Sequence, residues 1–256
     1  IVRAPSVRQS EKEQKKERDR ELKRIRDAFA EARAYMLAKK AETRPGVPYH
    51  RVDVRWEAMI PVLEGKVPVF VHADEIQQIQ AAVAWAREEK VKMVLVHGRD
   101  AWRVTSLLKE NGVPVVCSPV LTTPRRRFED YDQAFKTPKL LYDAGIAFCI
   151  DDNEEYAHER NLPYNASMAA AFGLPKEEAL KSITLSSAQI LGVADRVGSL
   201  EVGKDATLIV TTDDILEIMS QVEIEFIQGR KVDLTSRHTM LYEKYREKNR
   251  RVLGRQ

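Results

Sequence analysis

The sequence predicts an α/β fold with parallel strands, on three observations. Four short apolar runs recur at residues 67–71, 91–96, 113–117 and 146–150. None alternates apolar with polar, which is the pattern of strands buried on both faces. Helix-like segments at residues 74–89, 100–111 and about 136–144 separate the runs. Strand–helix–strand spacing of this kind builds right-handed βαβ units whose strands lie side by side. Finally, Gly112 and Gly145 stand directly before the third and fourth runs, where a helix C-cap needs a left-handed residue.

The elements follow in order. Residues 1–45 read as a charged helical connection. Ser10 and Glu13 have capping-box spacing, in which each side chain satisfies a free backbone N–H. Leu22, Ile25, Phe29, Ala32 and Met36 are spaced by three and four, on one helix face. Residues 11–21 carry almost no apolar side chain, and their acids and bases interleave. That reads as a solvated helix end rather than a basic arm for an acidic partner. The Arg44-Pro45-Gly46-Val47-Pro48 stretch ends the helix. Residues 46–197 hold the four runs and then helices at 164–172, 175–185 and 186–191, with Pro175 in a first turn. Residues 198–234 form a small β unit: a turn-rich string, the run Leu208-Ile209-Val210, and a hairpin about Gln228-Gly229. Residues 235–256 carry a charged tail helix over 238–253.

Composition removes several functional classes. With 43% hydrophobic residues in 256, the chain is too apolar for intrinsic disorder. No apolar run is long enough to span a bilayer, so no membrane partner is expected. A net charge of +3 is too small to argue for nucleic acid. Two cysteines, Cys117 and Cys149, give no disulfide framework, and both lie within apolar runs as small buried hydrophobes. The sequence has no GxGxxG, no GxxxxGK[ST] and no GxSxG, so phosphate-loop and serine-elbow chemistry lack their motifs.

In parallel α/β folds, chemistry gathers at the C-terminal strand ends. The first run leads to His72 and the second to His97. The fourth leads to Asp151, Asp152, Asn153, Glu154 and Glu155. Imidazole nitrogens and carboxylate oxygens are the usual ligands of catalytic zinc or a similar divalent ion. Arg125-Arg126-Arg127 follows the third run. It can hold a substrate carboxylate, but the nearby Glu129, Asp130 and Asp132 favour a solvated, internally paired loop.

The string Gly198-Ser199-Leu200-Glu201-Val202-Gly203-Lys204-Asp205-Ala206, followed by an apolar strand, resembles the closing signature of metal-dependent amidohydrolases. The upstream segment from Ile183 to Val193 resembles the helix pair that precedes it there. From His72 to Ile150 the chain is similar to the second half of the family's barrel, in the imidazolonepropionase-like branch. The resemblance spans about residues 55 to 234. It implies the C-terminal half of a (β/α)8 TIM-like barrel, strands 5–8, plus part of a small β-sandwich. It implies His72 and His97 as the strand-5 and strand-6 metal ligands, with zinc or another divalent ion as cofactor. It further implies hydrolysis of a carbon–nitrogen bond in a small-molecule amide.

Two departures from the family pattern matter. No His-x-His pair occurs in the sequence, so the chain is expected to be part of a longer one and to need an N-terminal half or self-association. The polar residues 1–20 contain no signal-peptide core. Second, Asn153 falls where the family's strand-8 Asp usually stands, and an amide is no base near neutral pH. Asp152 is therefore the expected base, if the acid has moved. The competing expectation is a catalytically inactive amidohydrolase-like scaffold.

Overall fold

The computed structural model describes residues 11–152 and 159–254. Ser10, Asn153, Glu154 and Glu155 lie outside the described residues. Strands β1 (Val69–Ala73), β2 (Met93–His97), β3 (Val115–Cys117) and β4 (Phe148–Ile150) form one sheet in that order. All three pairings are parallel, with His72 opposite Val96, His97 opposite Cys117, and Cys117 opposite Ile150. His72 and His97 therefore lie at the same end of the sheet. Both sit within the last two residues of their strands, not after them as the apolar runs suggested.

Helices α1 (Glu11–Ala41) and α2 (Val54–Leu63) precede the sheet. Helices α3 (Ile76–Glu88), α4 (Thr105–Glu110) and α5 (Gln133–Asp143) connect its strands. One sheet face, including Leu95, Val115 and Phe148, packs on Ile79, Leu108 and Leu141 of these helices. Leu95, Leu108 and Leu141 are fully buried, each contributing roughly 1.5–3 kcal/mol of apolar burial. Helices α6 (Leu162–Ala171), α7 (Lys176–Ser182) and α8 (Leu185–Leu191) follow. Ile190 of α8 covers the opposite face at Val94 and Cys149. On that face exposure is concentrated at β1, where Phe70 is 40% exposed.

Helix α1 packs through the apolar face that its spacing predicts. Phe29 and Ala32 are buried, and the Phe29 ring meets Trp85 of α3 edge-on at 5.3 Å. Arg33 pairs with Glu89 at 3.0 Å. The described side chains of its first turns are exposed. Helix α2 was not anticipated. Its interior Pro61 hides it from a pattern reading, yet Asp53 caps it by accepting from the Arg55 N–H. The single helix expected over 100–111 divides. A 3-10 turn covers Ala101–Arg103, and Val104, at φ −127°, separates it from α4.

Strands β5 (Leu208–Thr211), β6 (Val222–Ile227) and β7 (Arg230–Lys231) make a separate antiparallel sheet. The connection between β5 and β6 buries Leu216 in the main core, and Lys176 of α7 pairs with Asp214 at 2.7 Å. The last helix, α9 (Arg237–Leu253), buries none of its residues. Among the described residues, no helix is long and apolar enough to cross a membrane.

The glycine-rich string has a packing role. Gly198 has φ +97°, and a Cβ there would lie 2.7 Å from Ala188 Cβ and 3.0 Å from Leu185 Cα. Gly203 has φ +96° with nothing within 4 Å. Thermal or urea unfolding should show Gly198→Ala costing about 2–4 kcal/mol, from strain and overpacking together. Gly203→Ala should cost only about 1 kcal/mol, from the backbone alone. Equal losses would contradict the close-approach account.

Candidate active site at the strand ends

Paired residues in a parallel ladder share a face, and successive residues alternate. His72 pairs with Val96, so its ring projects from the face opposite Leu95 and Ala73. Simple alternation would send His97 to the helix-covered face with Leu95. Instead His97 adopts φ +73°, an uncommon conformation for a residue with a Cβ. Its ring stands 4.9 Å from that of His72, edge to face at 86°. The left-handed step thus turns the second imidazole toward the first. Gly98 continues the turn at φ +55°, where a Cβ would lie 2.9 Å from Leu95 Cδ2.

The His97 Nε2 is buried with no hydrogen-bond partner among the described residues. Such an atom normally costs free energy unless something binds it. Two adjacent imidazoles, one with an unsatisfied buried nitrogen, fit the donor chemistry of a divalent metal. They supply two ligands, while catalytic zinc takes three from protein plus water. Among the described residues, no group of three or more His, Cys, Asp or Glu could hold a metal ion.

The structure places Asp152 elsewhere. Its Oδ1 accepts from Asn165 Nδ2 at 3.0 Å, so the carboxylate is tied to α6. Asp151 extends β4: its N–H donates to the Cys117 carbonyl at 3.1 Å. Alternation puts it on the face of Cys149, two residues earlier, and its charge acts on the Cys149 thiol. That is also the face of His72. Asp151 Oδ1 accepts the Asp152 N–H at 2.7 Å.

Asn165 is a residue that the sequence reading missed. It is 1% exposed; its Oδ1 accepts from the Leu121 N–H at 2.8 Å and its Nδ2 also donates to the Asn161 carbonyl at 3.2 Å. Nothing local marks it, because its partners are distant in sequence. The second omission is Asp100, 5% exposed. Arg126 Nη1 donates to both its carboxylate oxygens at 2.9 and 3.1 Å, and the Ile76 N–H donates to it at 3.3 Å. The expected solvated arginine loop is therefore wrong for Arg126. Glu129 is a partner as anticipated, at 3.4 Å, but Asp100 and Glu75 are partners too, while Asp132 pairs with Lys136. A cavity of about 220 Å³ lies beside this bridge, lined by His97, Arg99, Trp102, Ser118, Arg126 and Phe128 among others.

A comparison with known proteins decides the family. The amidohydrolase family model matches residues 63–240. The chain belongs to the amidohydrolase family. An amidohydrolase of Hapsidospora irregularis, tasK, is 26% identical over 65% of this chain and 17% of its own length. An imidazolonepropionase of Brucella anthropi is 27% identical over 56% of this chain and 34% of its own. The crystal structure of an amidohydrolase from Thermotoga maritima MSB8 superposes with a TM-score of 0.73 at 32% identity. It covers 82% of this chain and 54% of that one. This amidohydrolase chain thus spans about half the length of that solved structure, and 17% and 34% of the two curated relatives.

Both cysteines are inert by burial, as the apolar runs indicated. Burial pushes the Cys117 thiol well above its ordinary value. Burial also pushes Cys149 up to about 11, with a Ser187 hydrogen bond opposing and Asp151 adding. At pH 8 a thiol-specific reagent should therefore label the native protein far more slowly than the unfolded one. An acid whose folded pKa is raised makes the unfolded chain release its proton first. Stability should then fall as pH rises from about 9 through about 11, in unfolding curves collected across that range. Arg126→Met leaves the buried Asp100 carboxylate without its cation and should cost about 3–5 kcal/mol. Adding Asp100→Asn should recover part of that loss; no recovery would show that charge is not the cause.

Proposed function

We propose that the protein is the C-terminal part of a metal-dependent hydrolase that cleaves carbon–nitrogen bonds in small amides, cyclic ones included. The observation that carries this reading is the His72–His97 ring pair, with its buried, unpartnered Nε2, at the C-terminal end of a parallel sheet. Family membership supports the reaction class, and the imidazolonepropionase relatives support a cyclic amide. The four strands and their helices read as half of a (β/α)8 barrel, and β5–β7 as part of a β-sandwich. Domain bounds of 1–45, 46–197, 198–234 and 235–256 belong to the same reading.

His72 and His97 would hold the ion, zinc or another divalent metal, and a further ligand would come from outside the described residues. When bound, the ion supplies Lewis acidity toward the amide carbonyl and toward water. The chain's own part is to hold the ligands and move the proton. A carboxylate at the end of β4 takes the proton of the attacking water and returns it to the leaving nitrogen. The sequence points to Asp152 for this role. Strand alternation favours Asp151, because it shares the face of His72 while Asp152 is turned to Asn165.

The missing ligands support a further part of the reading: the working site needs an N-terminal half of the barrel, or a second copy, against β1. The competing function is an inactive scaffold, favoured by the absence of a complete donor group among the described residues. The test is metal analysis of the purified protein together with hydrolysis of a panel of linear and cyclic amides, an imidazolone ring included. His72→Ala and His97→Ala should each lower metal content and hydrolysis together, activity by about 100-fold or more. Wild-type metal content in both variants would refute the ligand assignment. Bound metal without hydrolysis of any amide would favour the scaffold.

A further inference from the structure

We infer that Asn165 is a positioning residue: by holding Asp152 on the α6 side of β4, it fixes Asp151 on the face that carries His72. The inference rests on the hydrolase reading above and adds how its carboxylate is aimed.

The side-chain amide of Asn165 is buried, and its hydrogen bonds determine its orientation. Its Oδ1 accepts the Leu121 N–H at 2.8 Å. Its Nδ2 donates to Asp152 Oδ1 at 3.0 Å and to the Asn161 carbonyl at 3.2 Å. Reversing the amide would set a donor against an N–H and an acceptor against two oxygens, so only one orientation satisfies the site. Asp151 and Asp152 have no regular secondary structure of their own. The bonds described for them include the Asp151 N–H on the Cys117 carbonyl, Asp152 on Asn165, and the Asp152 N–H on Asp151 Oδ1. Turning Asp152 away from Asn165 would swing its N–H and release the Asp151 carboxylate. Asn165 therefore acts on the reacting face through two intervening groups and touches no reacting atom.

Aspartate at residue 165 separates positioning from simple tethering. It keeps an acceptor for the Leu121 N–H, yet it loses both donors and sets a carboxylate against Asp152. The experiment uses the amide from the panel that the wild-type protein hydrolyses. It compares Asn165→Asp, Asp152→Asn and the double variant by kcat, KM and hydrogen exchange at the Leu121 amide. We expect Asn165→Asp to keep Leu121 protected and KM within about threefold, while kcat falls about 10–100-fold. The double variant rebuilds the bond with its polarity reversed, and kcat should return to within about tenfold of wild type.

Wild-type kcat in Asn165→Asp overturns the inference. So does a slow Asp152→Asn single variant, whose amide oxygen can still accept from Asn165 Nδ2, because the Asp152 carboxylate would then itself be the base. Loss of Leu121 protection together with kcat, unrelieved in the double variant, would reduce Asn165 to a tether and also overturns it. If Asn165→Asp does not fold, Asn165→Ser replaces it: the hydroxyl is too short to reach both partners, and kcat should fall in the same way. A wild-type protein that hydrolyses no amide is a different result, and it sinks the functional reading itself.

Discussion

The buried bridge between Asp100 and Arg126 organises the end of the sheet where the histidines lie. Asp100 follows β2, and Arg126 sits in the long connection after β3. Asp100 also accepts from Ile76, the first residue of α3, and Arg126 reaches Glu75 just before it. The same connection donates the Leu121 N–H to Asn165, whose amide holds Asp152 after β4. One chain of polar contacts therefore ties together the ends of all four strands. A connection of this length has no ladder of its own to order it. Apart from the pair with Glu75, which is exposed, these bonds are buried or half-buried, so breaking one leaves a desolvated group without a partner, which costs more than an exposed pair would.

The geometry of the histidine pair depends on a local departure from regular β structure. An ideal strand would separate His72 and His97 onto opposite faces, because their register differs by one. The left-handed conformation of His97 cancels that difference. Conformations of this kind cost of order 1 kcal/mol or more and persist where the surroundings enforce them. Here Gly98 permits the close turn against Leu95 and Val115, and the amide of Gly98 bonds back to Ala73 at 3.1 Å. Strand pairing and glycine together hold the imidazole beside that of His72.

The string that identifies the family carries no visible chemistry. Gly198 lets the chain pass in contact with Ala188 and Leu185. Arg196 and Asp205 close the turn with an ion pair at 2.8 Å and a backbone bond between the same residues. The backbone there is demanding: Gly198 and Gly203 both hold a positive φ. The motif that marks the family and the residues of the proposed chemistry thus lie in different parts of the chain: the first in a turn, the second at the strand ends.

By itself the sequence determined the parallel order of four strands, the buried face of α1, the inert cysteines, the family, and the placing of His72 and His97 at one end. The family rests on the Gly198–Ala206 string; the rest follows from periodicity, helix caps and apolar runs, which act over a few residues and so can be read locally. It missed α2, whose helical pattern is interrupted by Pro61, and it ran one helix through Val104, where the structure breaks it. Only the tertiary structure decided which rings meet, which acid Arg126 binds, and which side of β4 each of Asp151 and Asp152 faces. Asp100 and Arg126 are 26 residues apart, and Asn165 and Leu121 are 44 apart. Contacts at such separations depend on how βαβ units stack and how a single left-handed residue turns, and a linear pattern carries neither.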